Sequence, residues 1–172
     1  MPHHGLSAEL GATTDGFLRA LDGVPADRWS HSPAPDVWSV GQTAEHTATV
    51  FRGIQRLMMG KLLQQPLVPG STTMTDDQII RAMSDRNRRL PAPEPVLPRG
   101  RWATREELVG AFVESGELLL KWCSEVTVDL RGYAAPHLVM GQLDGVQWLL
   151  FAAAHTERHT RQIIELRQAG GF

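Results

Sequence analysis

The stretch Gly141-Gln-Leu-Asp-Gly-Val-Gln-Trp148-Leu-Leu-Phe-Ala-Ala-Ala-His155-Thr-Glu-Arg-His159 decides how this chain is read. Its apolar residues recur three and four apart, which predicts a long helix from about Asp144 to Gln168, ended by Gly170-Gly171. At roughly 100° per residue, Trp148, Ala152, His155, His159, Ile163 and Leu166 share one narrow stripe, while Glu157, Arg158, Arg161, Glu165 and Gln168 take the opposite side. Residues four apart on a helix are stacked neighbours, so both imidazoles can reach a common point. On a buried stripe, two imidazoles without partners would cost a few kcal/mol, roughly. A metal ion satisfies them, and so does a hydrogen-bond network.

Three more helical patterns lie upstream. Leu6, Leu10, Thr14, Phe17 and Leu21 mark one face of a first helix, stopped by Gly23 and Pro25. Ser39 and Gln42 have the spacing of a capping box and open a second helix, which runs through Val50, Ile54, Leu57 and Met58 to about Leu63. Glu45, Arg52, Gln55 and Arg56 read as its wet face. Thr104 and Glu107 open a third, with Leu108, Phe112, Ser115, Leu119 and Trp122 on one side. Between helices two and three lies a long excursion. Thr75 and Gln78 start a short helix there, expected over Asp76 to Arg89, and Pro91, Pro93, Pro95 and Pro98 then forbid regular structure. A loop this long is usually functional or mobile. The only strand-like run is Val126-Thr-Val-Asp-Leu130. Four long amphipathic helices in one chain predict an all-α, four-helix bundle forming a single domain over 1–172. The excursion should let helices two and three lie parallel, in an up-up-down-down order.

Bulk properties narrow the function. The 172 residues, 42% apolar and 21% charged, suffice for one core without staples, so a metal here is functional rather than structural. A net charge of −2 argues against nucleic acid as a partner. Arg81, Arg86, Arg88 and Arg89, and again Arg99, Arg101 and Arg105, cluster locally; a solvated surface is the plainer reading, an anion site the sharper one. The lone Cys123 rules out a thiolate zinc cluster, fits a reducing cytoplasm and reads as a buried, inert thiol. No apolar run is long enough for a membrane span, and the N-terminus lacks the pattern of a signal peptide. His3 and His4, at that end, are not expected to be ligands. The five tryptophans, Trp29, Trp38, Trp102, Trp122 and Trp148, read as core anchors. Leu150, Phe151 and Ala154 form an apolar strip suited to a subunit interface or to packing under the excursion.

A third ligand has to come from another helix. His46 shares a stripe with Gln42, Val50, Gly53 and Leu57, and Gly53 would let a neighbouring helix approach. A core histidine bonded to a backbone carbonyl is the alternative. His31 and His137 fall in loops and are weaker candidates. Gln42, one turn before His46, and Gln162, near His159, are within reach of the rings and could orient them. A zinc protease is excluded, because in His155-Thr-Glu-Arg-His159 the glutamate is the middle residue, about half a turn from both imidazoles.

Trp38-Ser39, Glu45-His46, Gly141 to Trp148 leading into His155-x-x-x-His159, and Gln162-Ile163 occur in the order seen in the DinB-like superfamily, the DinB/YfiT-like metalloenzymes, which the chain resembles over nearly its whole length. The resemblance implies a four-helix bundle holding one divalent ion by three histidines, corresponding to His46, His155 and His159. It also implies a homodimer. Some members are thiol-dependent transferases or isomerases using bacillithiol, mycothiol or glutathione; many have no known activity. The name is shared with an unrelated DNA polymerase and carries no implication of DNA repair.

Three neutral imidazoles suit Zn²⁺, Ni²⁺ or Fe²⁺ and leave positions open for water or substrate. Three functions follow as expectations: a metal-dependent thiol transferase acting on a small molecule, a hydrolase using metal-activated water, or a non-catalytic, stress-related metal-binding protein. No individual catalytic residue can be chosen from the sequence.

Overall fold

The C-terminal pattern forms one unbroken helix because both its ends are satisfied. The Asp144 carboxylate accepts the Gln147 backbone N–H at 2.9 Å, and the Gln147 side chain accepts the Asp144 N–H at 3.1 Å. At the other end Gly171 adopts the left-handed conformation, φ 70°, and its N–H returns to the last turn. The computed structural model describes residues 4–88 and 90–171, together with all their side chains except that of His4. His3, the His4 side chain and Arg89 therefore lie outside the described residues. The helices are α1 (His4–Leu21), α2 (Ala26–Trp29), α3 (Val40–Gly60), α4 (Asp76–Ser84), α5 (Arg105–Glu125) and α6 (Gly145–Gly170), with a hairpin of β1 (Ala134–His137) and β2 (Gly141–Asp144) before α6.

α1, α3, α5 and α6 make the bundle. α1 packs on α5 and α6, and α3 packs on the same two from the other side. Phe17 of α1, Phe51 of α3 and Phe112 of α5 are buried where three helices meet, with ring centroids 4.6 and 5.0 Å apart. Such tilted aromatic pairs add about 0.5–1.5 kcal/mol each beyond the area they bury. End contacts fix the directions. The start of α5 lies at the end of α1, where Arg105 donates to the Leu21 and Val24 carbonyls and stacks on Trp29. The end of α6 is there too, with Arg167 donating to the Ala20 and Asp22 carbonyls. The start of α3 joins them through Gly41, where a Cβ would come within 2.6 Å of the Trp29 ring. Helices α3 and α5 are therefore parallel, as the long connection predicts. The full order is up, down, down, up; an up-up-down-down order would set helices two and three antiparallel, and the excursion instead brings the chain back to the end from which α3 began.

Other elements depart from expectation. Val126–Leu130 is not a strand; the two strands are Ala134–His137 and Gly141–Asp144, paired antiparallel. They escape sequence reading because their four-residue runs contain Pro136 and Gly141. Gly141, φ 75°, is required where it is, because a Cβ there would meet the Thr73 Oγ1 at 2.2 Å. That hydroxyl donates to the Met140 carbonyl and accepts from the Gln142 N–H, both at 2.9 Å, stitching the excursion to the hairpin. α4 ends at Ser84, short of the expected Arg89, and the short α2 was not anticipated. Thr104 caps α5 through the Glu107 N–H, but the Glu107 carboxylate accepts from Ala103 instead, so that box is incomplete. Gly53 faces open space rather than a close helix. α4 packs on α6, so Ala153 and Ala154 lie near Ile80 and Met83 of the excursion, and Phe151 is buried. Of the strip on α6, Phe151 is buried while Leu150 and Ala154 are half-buried.

Asp144 joins two supports of α6, since its second oxygen also accepts from Arg131 at 3.0 Å. Replacing Asp144 with alanine should cost about 2 kcal/mol, lowering the melting temperature by about 4–8 °C. Asp144→Asn, which keeps a capping oxygen, should lose less than half of that in the same thermal melts.

Candidate metal centre

α3 and α6 run antiparallel in contact, and where they cross they carry His46 against His155 and His159. One ligand nitrogen from each ring lies within 4.8 Å of the others, and the Nε2 atoms of His46 and His155 are 3.1 Å apart. The ring centroids are 4.5–5.0 Å from one another. The residues are only 4%, 8% and 7% exposed, in chain order. Among the described residues this is the one group of three or more potential ligands gathered in this way.

Hydrogen bonds fix two of the tautomers. His46 Nδ1 lies 2.8 Å from the Val96 carbonyl oxygen. A carbonyl only accepts, so Nδ1 carries the proton and Nε2 offers a lone pair. His159 Nδ1 donates in the same way to the Gln162 Oε1 at 2.9 Å. His155 then faces a choice. With no cation, its Nε2 proton must go to His46. With one, all three rings can turn lone pairs to a single point. Nitrogens at about 2.0–2.1 Å from a tetrahedral ion stand roughly 3.3–3.4 Å apart, close to the His46–His155 spacing.

The electrostatics favour neutral rings. Burial holds His46 below the usual imidazole range, Arg101 adds to this, and the Val96 bond opposes it. His155 is driven well below that range by burial and then by the charges that His159 and His46 would carry. His159 is pushed down to about 3, chiefly by burial and by His46. Neutral imidazole is the form that binds a metal, so these residues fit a divalent ion at neutral pH without first losing protons.

Of the two glutamines expected to orient the rings, Gln162 contacts one and Gln42 does not. The Gln42 oxygen accepts from the Ser39 N–H at 3.0 Å in the cap of α3, and the residue is exposed. The Val96 carbonyl takes the place expected for Gln42, from a proline-rich segment fifty residues away that helical periodicity cannot place. His31 is exposed. His137, at the end of β1, uses Nδ1 to accept the Val139 and Met140 N–H groups and packs on Phe151 with centroids 4.5 Å apart, outside the cluster. Trp38 stacks beside His46 at 4.9 Å and Phe151 beside His155 at 5.2 Å, giving the imidazoles aromatic walls. Cys123 is buried on α5 with its thiol pushed up to about 11 by burial, which suits an inert core residue.

Two charged residues were misplaced by the helical wheel. Glu45, read as solvated, is 7% exposed and grips the segment around Gly100. Arg158, read on the wet side of α6, is 7% exposed and donates to the carbonyls of Met83, Asp85 and Arg88. Several arginines of the excursion are likewise engaged: Arg86 pairs with Glu165, Arg99 with Glu94 and Arg101 with Glu45.

The chain is a four-helix bundle with a buried three-histidine cluster, able to hold a metal ion, on two facing helices. The model of the DinB superfamily matches residues 9–163, and the chain belongs to that superfamily. It is similar to YuaE of Bacillus subtilis (strain 168), described as an uncharacterized protein, at 19% identity over 148 residues, 86% of this chain and 88% of that one. Among solved structures it resembles TT2238, a four-helix bundle protein, with a TM-score of 0.60 and 17% identity over 94% of this chain and 97% of that one. That likeness shows the fold. Among the described residues no helix is long and apolar enough to cross a membrane.

Proposed function

We propose that this protein is a metal-dependent enzyme in which His46, His155 and His159 hold one divalent ion, Zn²⁺, Ni²⁺ or Fe²⁺, for transfer of a low-molecular-weight thiol to a small electrophile. The observation that carries the reading is the convergence of three buried, neutral imidazoles, two of them held through Nδ1 by Val96 and Gln162. An ion with three neutral protein ligands keeps positions open and lowers the pKa of a bound thiol, so that thiolate is present at neutral pH. In the transfer the thiol proton passes to solvent, the sulfur forms a bond to the electrophilic carbon, and the leaving group departs with its electron pair. The chain's own part is to fix the rings through their outer nitrogens and to wall the site with Trp38 and Phe151. On this reading the protein works in the cytoplasm as a homodimer, on a small molecule and without nucleic acid.

The test is to incubate metal-loaded protein with monobromobimane and, in turn, bacillithiol, mycothiol and glutathione. Conjugation above the spontaneous rate is expected with at least one thiol, and none in a chain with all three histidines replaced by alanine. Turnover of ester or amide substrates with no thiol added would move the assignment to a hydrolase. Full metal loading without either activity would leave a metal-binding module.

A further inference from the structure

Glu45 precedes His46 on α3, yet its side chain is turned to the proline-rich segment. Its Oε1 accepts the N–H of Arg99 at 2.7 Å, the N–H of Arg101 at 3.2 Å and the Arg101 guanidinium at 3.0 Å. Its Oε2 accepts the Gly100 N–H at 2.9 Å. Three consecutive backbone donors converge on one carboxylate because Gly100 takes φ 73°, a conformation that folds successive N–H groups into a concave, anion-binding nest. The Arg101 guanidinium also donates to the Pro95 and Leu97 carbonyls. Residues 95–101 are thereby closed into a loop gripped from α3. Between the two bonded carbonyls lies Val96, whose own carbonyl is turned to His46 Nδ1 at 2.8 Å.

We infer that Glu45 is a positioning residue for the metal centre: by gripping the 99–101 turn it holds the Val96 carbonyl on His46 and so keeps that ring's Nε2 lone pair directed at the ion. The inference rests on the metal-binding reading for its consequence, and on hydrogen bonding alone for its cause. Glu45 touches neither the ion nor a substrate in this scheme. It acts through the loop. Only Leu97, Pro98 and Arg99 separate Val96 from Gly100, Pro98 fixes its own φ within that span, and Arg101 braces the carbonyls on either side of Val96, so displacement at Gly100 is carried to Val96.

The experiment compares the full-length wild type with Glu45→Gln and Glu45→Ala. Glutamine keeps the shape but sets an amide N–H₂ against backbone donors. Three readouts are taken: the Co²⁺ absorption spectrum with the Zn²⁺ dissociation constant by chelator competition, the exchange rate of the Gly100 amide, and the His46 Hδ1 resonance in metal-free protein. In the wild type the Hδ1 signal should be slow to exchange. In Glu45→Gln the Gly100 amide should exchange about 10-fold faster, Hδ1 should be lost to exchange, and Zn²⁺ should bind about 10-fold more weakly with an altered Co²⁺ spectrum. Alanine should be at least as severe. A folded Glu45→Gln chain with wild-type affinity and spectrum overturns the inference, even if its melting temperature falls, because a merely structural grip would lower stability alone. Rapid exchange of Hδ1 in the wild type overturns it without any variant having to fold. Should the wild type bind no metal, the metal reading fails by itself, while the Hδ1 signal and its loss in Glu45→Gln still decide whether Glu45 orients His46.

Discussion

Replacing His155 with alanine is expected to abolish stoichiometric metal binding while leaving the metal-free fold standing. His155 is the ring whose Nε2 meets that of His46 at 3.1 Å, so it is the ligand that closes the cluster. If a full set of protein ligands gives on the order of 10–16 kcal/mol, one ligand is worth roughly 3 kcal/mol, and its loss weakens binding by about 100-fold or more. The metal-free chain should change less, by about 1–2 kcal/mol, because only the hydrogen bond to the His46 Nε2 and the packing of one ring are lost. Thermal melts separate the two effects. At a metal concentration of about 100 times the dissociation constant, the wild type gains about 2.7 kcal/mol, an increase of roughly 5–10 °C in melting temperature. His155→Ala should gain almost nothing at that concentration. Equal metal content in the purified wild type and variant would end the case for this centre.

The second large effect falls on the far side of α6. Arg158 is buried, and its guanidinium donates to the Met83 carbonyl at 3.0 Å, to Asp85 at 2.6 Å and to Arg88 at 2.7 Å. It thus ties the end of α4 and the turn after it to the bundle. Arg158→Leu keeps the apolar bulk and removes every donor. Three carbonyls lose a charged partner, and Met83 is itself buried. A loss of about 3–4 kcal/mol is expected, with a melting temperature lower by about 6–15 °C. Arg161→Leu is the control: Arg161 pairs with Glu157 four residues away on an exposed face, and such pairs contribute about 0.3–0.5 kcal/mol. If both variants melt alike, the guanidinium is not what holds α4.

These two residues also mark how far a sequence can be read. Periodicity placed His155 and His159 on the buried side of α6 because the whole of that stripe faces the bundle. It placed Arg158 in water because a helical wheel assigns polarity from residue type. The angle was right. A second layer, α4 and its following turn, covers that side of α6 and supplies carbonyls that make a buried arginine stable. Glu45 was misread for the same reason: its partners are backbone N–H groups fifty-four to fifty-six residues away. Gln42 shows the converse error. It stands one turn from His46, but its side chain is used at once by the Ser39 cap, a local bond that competes with any reach toward the ring.

By itself the sequence determined the four long helices, the caps at Ser39, Thr75 and Thr104, and the buried stripe bearing His155 and His159. All of these depend on residues within one or two turns of each other, where spacing and geometry are the same thing. The sequence offered His46 as the third ring; tertiary structure decided that it meets the pair, that the Val96 carbonyl and not Gln42 fixes its ring, and that Glu45 and Arg158 are inside. Those outcomes depend on which backbone groups distant segments leave unpaired at the bundle's surface, and hydrogen-bonding demand of that kind has no period along the chain.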